Sequence, residues 1–394
     1  MNKMTVRDID VNGKRVLVRV DFNVPVDDAG TIMDDSRIRA ALPTINYLLE
    51  RKAKVVLMSH FGRPKGKVKD EFRLTKVGER LSQILGKPVK MTTDCIGPEV
   101  EKAVAAMNPG DVLLLENLRF HAEEEAGDAV FSKQLAAFGE VYVNDAFGTS
   151  HRAHASISGI TKYLPAVAGF LLEKEINTLG GLMENPDHPF TSIFGGAKVS
   201  DKVAVLKNIM DKVNCLLIGG GMAATFLKAK SIAVGKSPVE TETLGVAAGL
   251  IEETAKRNIK LMLPVDVIVT GEIKSDAKAT TVSVDNIPPD KVIADIGPKT
   301  VEMYSKELEK SKTVFWNGPM GVAEMPQFAS GTQTLARLLP ELKARTIVGG
   351  GSTAEVIESL GLADKITFVS TGGGASLEFL AGMELPGIAA LKDA

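Results

Sequence analysis

Four short segments in the first half of the chain each follow an apolar run, and three of the four carry arginine and histidine together. KRVLVRV leads into Asp21-Phe22-Asn23, KVVLMS into His60-Phe61-Gly62-Arg63, DVLLLEN into Leu118-Arg119-Phe120-His121, and VYVNDAFGTS into His151-Arg152-Ala153-His154. Arg37, in DDSRIRA, adds a guanidinium at the start of the next helical pattern. Guanidinium groups hold phosphate and carboxylate through paired hydrogen bonds and stay charged at any relevant pH. Several of them facing one cleft therefore suit a small, multiply anionic ligand, with Asp21 and Asn23 left to orient its hydroxyls. Any one of these arginines alone reads as a surface ion-pair partner. Their repetition at strand ends favours an anion site, in which His60 acts as a donor rather than as a packed neutral ring.

The second half offers different chemistry. VGGGST at 348–353 and STGGGAS at 370–376 each join an apolar run to a helical pattern. A helix start has unpaired N–H groups and a partial positive charge, and glycines let an anion come close to both. Nucleotide phosphate is the ligand this predicts. A Walker A loop is absent, because Lys230 stands where Gly235-Lys236-Ser237 would need a leading glycine. FGGAKVSDK at 194–202 supplies Gly195, Gly196, Lys198 and Lys202, and the spacing of four predicts both lysines on one helical face. Gly219–Ala224 and Gly349–Ala354 also fit the loose pattern GxGxxA, as a cofactor turn or as close packing, which leaves a nicotinamide dehydrogenase open. Trp316-Asn317-Gly318-Pro319 follows an apolar run and precedes Glu324. Trp316 reads as core or as an adenine wall, and Glu324 as an acceptor for ribose hydroxyls.

These segments need elements to hold them. Apolar runs alternate with helical patterns along the whole chain, ending with FTSIFGG, NCLLIGGG, IKLMLPVDVIV, TVFWNGP, RTIVGGG and ITFVSTGGG. Continuous apolar strands imply parallel sheets covered on both faces, an α/β fold. With 394 residues the chain exceeds one ordinary core, and two domains are expected. The boundary is placed at 165–186, read as a helix closed by Gly and Pro signals, giving domains 1–170 and 171–379.

Composition excludes several alternatives. A formal net charge of -2 argues against a broad nucleic-acid or membrane footprint. No stretch approaches the roughly 20 apolar residues of a membrane span, and the first residues carry no apolar signal core, so a cytoplasmic location is expected. Cys95 and Cys215 lie far apart without CxxC spacing, which predicts neither a disulfide framework nor a thiolate metal site.

RVLVRVDFNVP, SHFGRPKG, LLLENLRFH, VNDAFGTSHRAHAS, PAVAGFLLEKE, GGAKVSDK, ADIGPKT, VFWNGPMGV, VGGGST and STGGGASLE together resemble the phosphoglycerate kinase family, in order and spacing, over essentially the whole chain. The resemblance implies two doubly wound, Rossmann-like domains joined by a hinge helix, with 380–394 returning to the first. It implies reversible, Mg2+-dependent phosphoryl transfer between 1,3-bisphosphoglycerate and ADP, giving 3-phosphoglycerate and ATP, by a monomer that closes like a hinge. Carried over by residue, the triose site is Asp21, Asn23, Arg37, His60, Arg63, Arg119 and Arg152. The nucleotide site is Gly196, Lys198, Lys202, Asn317, Pro319, Glu324, Gly350, Gly351 and Thr353. Gly372, Gly373 and Gly374 would present a second helix start to the phosphoryl group in flight. Charge on that group would be neutralised by Arg37, Lys198, Mg2+ and the helix starts behind Gly350 and Gly373.

The chain departs from the family pattern at two positions. Ser352 stands where the family usually has the aspartate of GGGD that ligates the nucleotide's magnesium, which predicts weaker Mg2+ coupling. It also leaves a catalytically weakened, nucleotide-binding homologue as an alternative. Ala323 replaces the usual phenylalanine after GPxGV, a change expected to affect pocket packing.

Overall fold

The computed structural model describes residues 2–394. The chain divides into two compact units, one running to Thr178 and joined by Glu384–Ala394, the other comprising Leu179–Met383.

The first unit is built on strands β1 (Arg15–Val20), β2 (Lys54–Met58), β3 (Val89–Met91), β4 (Val112–Leu114), β5 (Val141–Asp145) and β6 (Ala166–Ala168). They form one parallel sheet in the order β3-β4-β2-β1-β5-β6. Helices α1 (Ser36–Glu50), α2 (Thr75–Leu85), α3 (Pro98–Ala105), α4 (Ala122–Ala126) and α5 (Ala129–Ala136) lie between the strands in sequence, and α6 (Phe170–Glu184) follows them. Val16, Val18 and Val20 of β1 are buried with Val55 and Leu57 of β2 and Val141 and Val143 of β5. Leu17 on the opposite face is buried as well, so β1 is covered on both sides, the reason its sequence is almost unbroken apolar.

Residues 166–168 extend the sheet rather than starting a helix, because Ala-Val-Ala fits the edge beside β5 and a Cβ on Gly169 would meet Asp145 Oδ1 at 2.2 Å. α6 then begins with its free N–H groups satisfied from elsewhere in this unit. Phe170 N donates to Thr44 Oγ1 at 2.9 Å, and Leu171 N and Leu172 N donate to Asp145 Oδ1 at 2.9 and 3.3 Å. The division between units falls at Thr178, inside α6, rather than ahead of it at 170. The returning segment starts at Glu384 rather than 380. It is pinned by Gly387, which donates to Ser150 O at 2.8 Å and accepts from Asn144 Nδ2 at 2.9 Å.

The second unit holds β7 (Phe190–Phe194), β8 (Cys215–Ile218), β9 (Lys260–Met262), β10 (Asp266–Thr270), β11 (Thr280–Ser283), β12 (Val292–Ile296), β13 (Thr313–Asn317), β14 (Arg345–Gly349) and β15 (Phe368–Val369). Its helices are α7 (Val203–Ile209), α8 (Met222–Ala229), α9 (Leu244–Lys256), α10 (Pro298–Leu308), α11 (Ser330–Leu338), α12 (Gly351–Ser359) and α13 (Gly374–Leu380); α14 (Pro386–Ala389) belongs to the first unit's returning segment. Six strands make a parallel sheet, β15-β14-β13-β7-β8-β9. The other three form an antiparallel sheet, β11-β10-β12, that the apolar runs did not reveal. IKLMLPVDVIV is two strands, broken at Leu263-Pro264, where proline has no N–H to give to a ladder. No helix among the described residues is long and apolar enough to cross a membrane.

Candidate functional sites

In the first unit the four chemistry-bearing segments follow β4, β2, β1 and β5, which are neighbours in the sheet. Residues up to about 130 positions apart in sequence thus sit at the carboxyl ends of adjacent strands, where open α/β sheets bind ligands. Arg37, near the start of α1, donates through Nη1 to Asp21 Oδ2 at 2.7 Å. Asn23 Oδ1 accepts from Gly62 N at 2.8 Å, and Arg119 Nη1 donates to Gly62 O at 2.9 Å, so the turn after β2 is held from both sides. Asn117 reinforces it, donating to Phe61 O at 2.7 Å and accepting from Phe61 N at 3.1 Å. Arg119 is buried, and its Nε lies 3.3 Å from Glu125 Oε1 in an ion pair that lacks hydrogen-bond geometry. Arg63 is exposed and makes no ion pair among the described residues.

His60 is the electrostatic centre of this group. Burial, followed by the charges of Arg19, Arg119, Arg37 and Arg152, holds its pKa well below the ordinary value, so the ring is neutral at pH 7. Arg19 Nη2 lies 3.2 Å from His60 Nδ1. A guanidinium can only donate, so Nδ1 accepts and the ring proton sits on Nε2, available to a ligand. His60 is therefore both the neutral ring and the potential donor that the sequence posed as alternatives.

Arg19 was not among the expected residues. It is 1% exposed, its Nη1 donates to Val20 O, and its Nε donates to Ser156 Oγ at 2.9 Å. Ser156 in turn donates through Oγ to Glu124 Oε1 at 2.5 Å and through its backbone N–H to Oε2 at 2.9 Å. Glu124, fully buried, is the counter-charge that lets Arg19 remain inside; burial raises its pKa, opposed by Arg19 and Ser156. The available signal was a second arginine, inside rather than at the start of the central strand RVLVRV. His121 does not join the cluster, but pairs with Asp94. Arg152 stays close enough to act on His60, and its Nε lies 3.3 Å from His151 Nε2.

In the second unit the glycine segments separate into two kinds. Those after β7, β8 and β13 pack backbone on backbone: Gly195 N donates to Asn317 O at 3.0 Å, Gly196 N to Pro319 O at 2.9 Å, and Gly220 N to Met320 O at 2.8 Å. A Cβ on Gly220 would lie 2.5 Å from Gly196 N. Gly219–Ala224 is thus a close-packed turn filled by protein, which decides between the two readings of that motif. Trp316 is likewise core, fully buried with Nε1 donating to Gly318 O at 2.7 Å.

The segment after β14 is open instead. Gly350 has φ +92°, a conformation only glycine adopts comfortably, and Gly351 at the first position of α12 has nothing within 4 Å of where a Cβ would stand. The same open space surrounds Gly196, Gly373 and Gly374. Thr353 Oγ1 accepts from Gly318 N at 2.7 Å and so fixes α12 against the β13 turn. Asn317 is buried, its Oδ1 accepts from Lys202 Nζ, and its Nδ2 has no hydrogen-bond partner. Burial brings Lys202 down to about 8.

Lys198 and Lys202 do not share a helical face, because α7 starts only at Val203. Glu240 holds the preceding turn open by accepting from Val199 N and Ser200 N at 2.6 and 3.0 Å. Lys198 and Glu324 are exposed, and Pro319 contributes through its backbone oxygen. The first turn of α12 contains no acidic residue, and Ser352 there is exposed. This helix start fits an anion and does not fit a magnesium ion held by a protein carboxylate.

Clustered guanidiniums in one unit and an open helix start in the other suit a phosphotransferase, whose work is positioning and neutralising phosphoryl groups. Comparison with known proteins agrees. The family profile described as phosphoglycerate kinase matches residues 6–383. The phosphoglycerate kinase of Moorella thermoacetica is 55% identical over 393 residues, covering 100% of both chains. That of Chloroflexus aurantiacus is 55% identical over 399 residues, with the same full coverage. Among solved structures, phosphoglycerate kinase from Coxiella burnetii superposes with a TM-score of 0.87 at 41% identity, and that from Pyrococcus horikoshii OT3 with 0.88 at 33%, each covering 98% of both chains.

The chain belongs to the phosphoglycerate kinase family. It catalyses the glycolytic phosphoryl transfer of that family, and neither a dehydrogenase nor a silent binder finds support among these relatives.

Proposed function

We propose that the first unit binds 3-phosphoglycerate or 1,3-bisphosphoglycerate through Asp21, Asn23, Arg37, His60, Arg63, Arg119 and Arg152. The second unit then takes ADP or ATP at Gly196, Lys198, Lys202, Asn317, Pro319, Glu324, Gly350, Gly351, Ser352 and Thr353. The observation that carries this is the convergence of Arg19, Arg37, Arg119 and Arg152 on one buried, neutral histidine. That much positive charge at adjacent strand ends is repaid by a ligand with several negative charges. The guanidinium of Arg119, whose Nε makes only an ion pair with Glu125, and the Nε2 proton of His60 are donors for it, and Arg19 acts indirectly, by orienting His60. The unpartnered Nδ2 of Asn317 and the open start of α12 are the corresponding donors for nucleotide phosphate.

The reaction needs no strong general base. In the ATP-forming direction an oxygen of the ADP β-phosphate forms the new bond to phosphorus while the carboxylate oxygen leaves, and both groups are ionised near neutral pH. Catalysis then consists of alignment and neutralisation of the equatorial oxygens, for which Arg37, Lys198 and the helix starts behind Gly350 and Gly373 are the agents. Magnesium bound with the nucleotide would supply further charge neutralisation, and toward it Ser352 would offer at most a neutral oxygen in place of a carboxylate. The same reading makes the protein a cytoplasmic monomer.

The test is steady-state acyl-phosphate formation from ATP and 3-phosphoglycerate, followed by coupled NADH oxidation across a Mg2+ series. Mg2+-dependent turnover is expected, with half-saturating Mg2+ falling in Ser352→Asp. Folded protein that binds ADP without turning over would defeat the reading, and equal Mg2+ dependence in the two proteins would defeat the part assigned to Ser352.

A further inference from the structure

Away from the arginine cluster, three side chains of different chemistry converge at the ends of β3 and β4. Asp94 and Cys95 lie in the segment between β3 and α3, and His121 immediately precedes α4. One ligand atom from each, a carboxylate oxygen, Cys95 Sγ and an imidazole nitrogen, lie within 4.8 Å of one another. Around a tetrahedral zinc ion such atoms stand roughly 3.3 to 3.6 Å apart, from bond lengths of about 2.0 to 2.3 Å. Reaching that geometry narrows the widest spacing and opens the 2.6 Å contact between His121 Nε2 and Asp94 Oδ1, shifts of about an ångström that are within reach of side-chain rotation.

The three are already held in place. Thr92 Oγ1 donates to Asp94 O at 2.6 Å, and Cys95 N donates to Asp94 Oδ1 at 2.6 Å, which fixes the carboxylate beside the thiol. The His121 ring rests on Phe131 with centroids 5.3 Å apart, and its Nε2 is 2.6 Å from Asp94 Oδ1. Cys95 is 1% exposed and forms the floor, whereas the side chains of Asp94 and His121, 47% and 25% exposed, form an open mouth.

We propose that Asp94, Cys95 and His121 constitute a binding site for a borderline-soft divalent metal ion of the zinc class, distinct from the magnesium that accompanies the nucleotide. Two of the three donors are sulfur and nitrogen, which suit Zn2+ or Co2+ and not Mg2+, an ion that takes oxygen ligands at short octahedral distances. A thiolate and a carboxylate together balance the charge of a divalent ion. Three protein ligands leave the fourth tetrahedral position to water at the open mouth. On binding, the metal replaces the thiol proton, which passes to solvent, and breaks the hydrogen bond between His121 Nε2 and Asp94 Oδ1; an imidazolium ring also releases one proton, and a neutral ring keeps its proton on the nitrogen that does not bind the metal. The spacing rule for cysteines missed the site because its third ligand lies in a segment remote from Asp94 and Cys95, joined to them only by the pairing of β3 with β4.

The experiment titrates the whole protein with Zn2+ against a chromogenic chelator in millimolar Mg2+, and records the near-ultraviolet spectrum with Co2+. The site predicts a single tight Zn2+ equivalent that Mg2+ does not displace, and a thiolate-to-cobalt charge-transfer band. Cys95→Ser abolishes the band, and His121→Asn weakens Zn2+ binding by more than about tenfold, at least the loss typical of a metal site's outer-shell partners. Cys215→Ser, which alters the other buried thiol, keeps both signals. Turnover of Cys95→Ser in Mg2+ alone matches that of the unmodified protein. Absence of the band in the unmodified protein, its survival in Cys95→Ser, or its loss in Cys215→Ser would each overturn the proposal, and the first of these needs no variant to fold. None of these readouts depends on the phosphoryl-transfer assignment.

Discussion

In the first unit positive charge is carried by long side chains: Arg19, Arg37, Arg119 and Arg152 all act on His60. In the second unit the open start of α12 carries it on backbone amides, with Lys198 and Lys202 nearby in sequence to the turn after β7. The two arrangements have different requirements. Crowded guanidiniums repel one another and must be held by acids, and the structure supplies Asp21 for Arg37 and buried Glu124 for Arg19 through Ser156. Backbone amides need no counter-charge but need a backbone with room around it, which is why Gly351 is open where Gly195 and Gly220 are filled. A site of the first kind is sensitive to loss of charge, and one of the second kind to added bulk.

That contrast can be broken most severely at the residues assigned to the phosphoryl group. Lys198→Ala and Arg37→Ala should each lower kcat by about 10² to 10³, the usual cost of one transition-state donor, with a much smaller change in triose affinity. Unchanged kcat in both, measured by steady-state kinetics, would remove charge neutralisation from the mechanism. Next, Arg119→Ala should weaken triose binding about 10- to 100-fold, corresponding to a charge-assisted bond of about 1.5 to 3 kcal/mol, and leave ADP affinity untouched. Calorimetric titration of each ligand separates the two, and an equal loss for ADP would mean that the units do not divide the ligands as proposed.

The glycines sharpen the other side of the comparison. Gly220→Ala places a methyl against backbone at a left-handed residue and should destabilise the fold by roughly 2 kcal/mol or more. Gly351→Ala should change stability by less than about 0.5 kcal/mol while weakening nucleotide binding. Denaturant unfolding alongside ADP titration reads both, and the reverse assignment of effects would show that the open and filled turns had been confused.

The smallest effect concerns pH. His154 is held down to about 4, chiefly by burial and then by Arg119, Arg19 and Arg152, while Glu124 lies 3.9 Å from it on the other side. Its folded-state pKa is below its unfolded value of about 6.5, so the stability tied to its neutral form is complete above that pH and lost as pH falls toward 4. His154→Gln does not titrate. Thermal melts from pH 7 to 4 should therefore show the variant gaining relative to the unmodified protein as pH falls, and parallel curves would refute the assignment.

Much of this architecture was legible in the chain because parallel strands are buried on both faces and read as continuous apolar runs. The antiparallel sheet was hidden for the converse reason: β11, Thr-Thr-Val-Ser, is mostly exposed and carries little apolar signal. Site residues at strand ends were legible as residue types in the right place, yet their supports were not. Glu124 sits in an AEEEA segment that looks like a solvated helix, and only the fold shows the middle one of its three glutamates turned inward. The four-residue spacing of Lys198 and Lys202 misled because the turn after β7 delays the helix past both. Trp316 and Gly219–Ala224 were ambiguous in sequence, since close packing of protein on itself and close approach of a ligand ask for the same residues.

Residues 384–394 complete the first unit after the second has been inserted into the chain, and Gly387 and Lys392 bond into its sheet region through Asn144, Ser150, Met4 and Ala166. During synthesis the earliest-made half therefore waits for the latest-made residues, while the inserted unit has all of its strands in hand beforehand. A chain released before residue 384 would carry every strand of the second unit and a first unit still lacking its last piece.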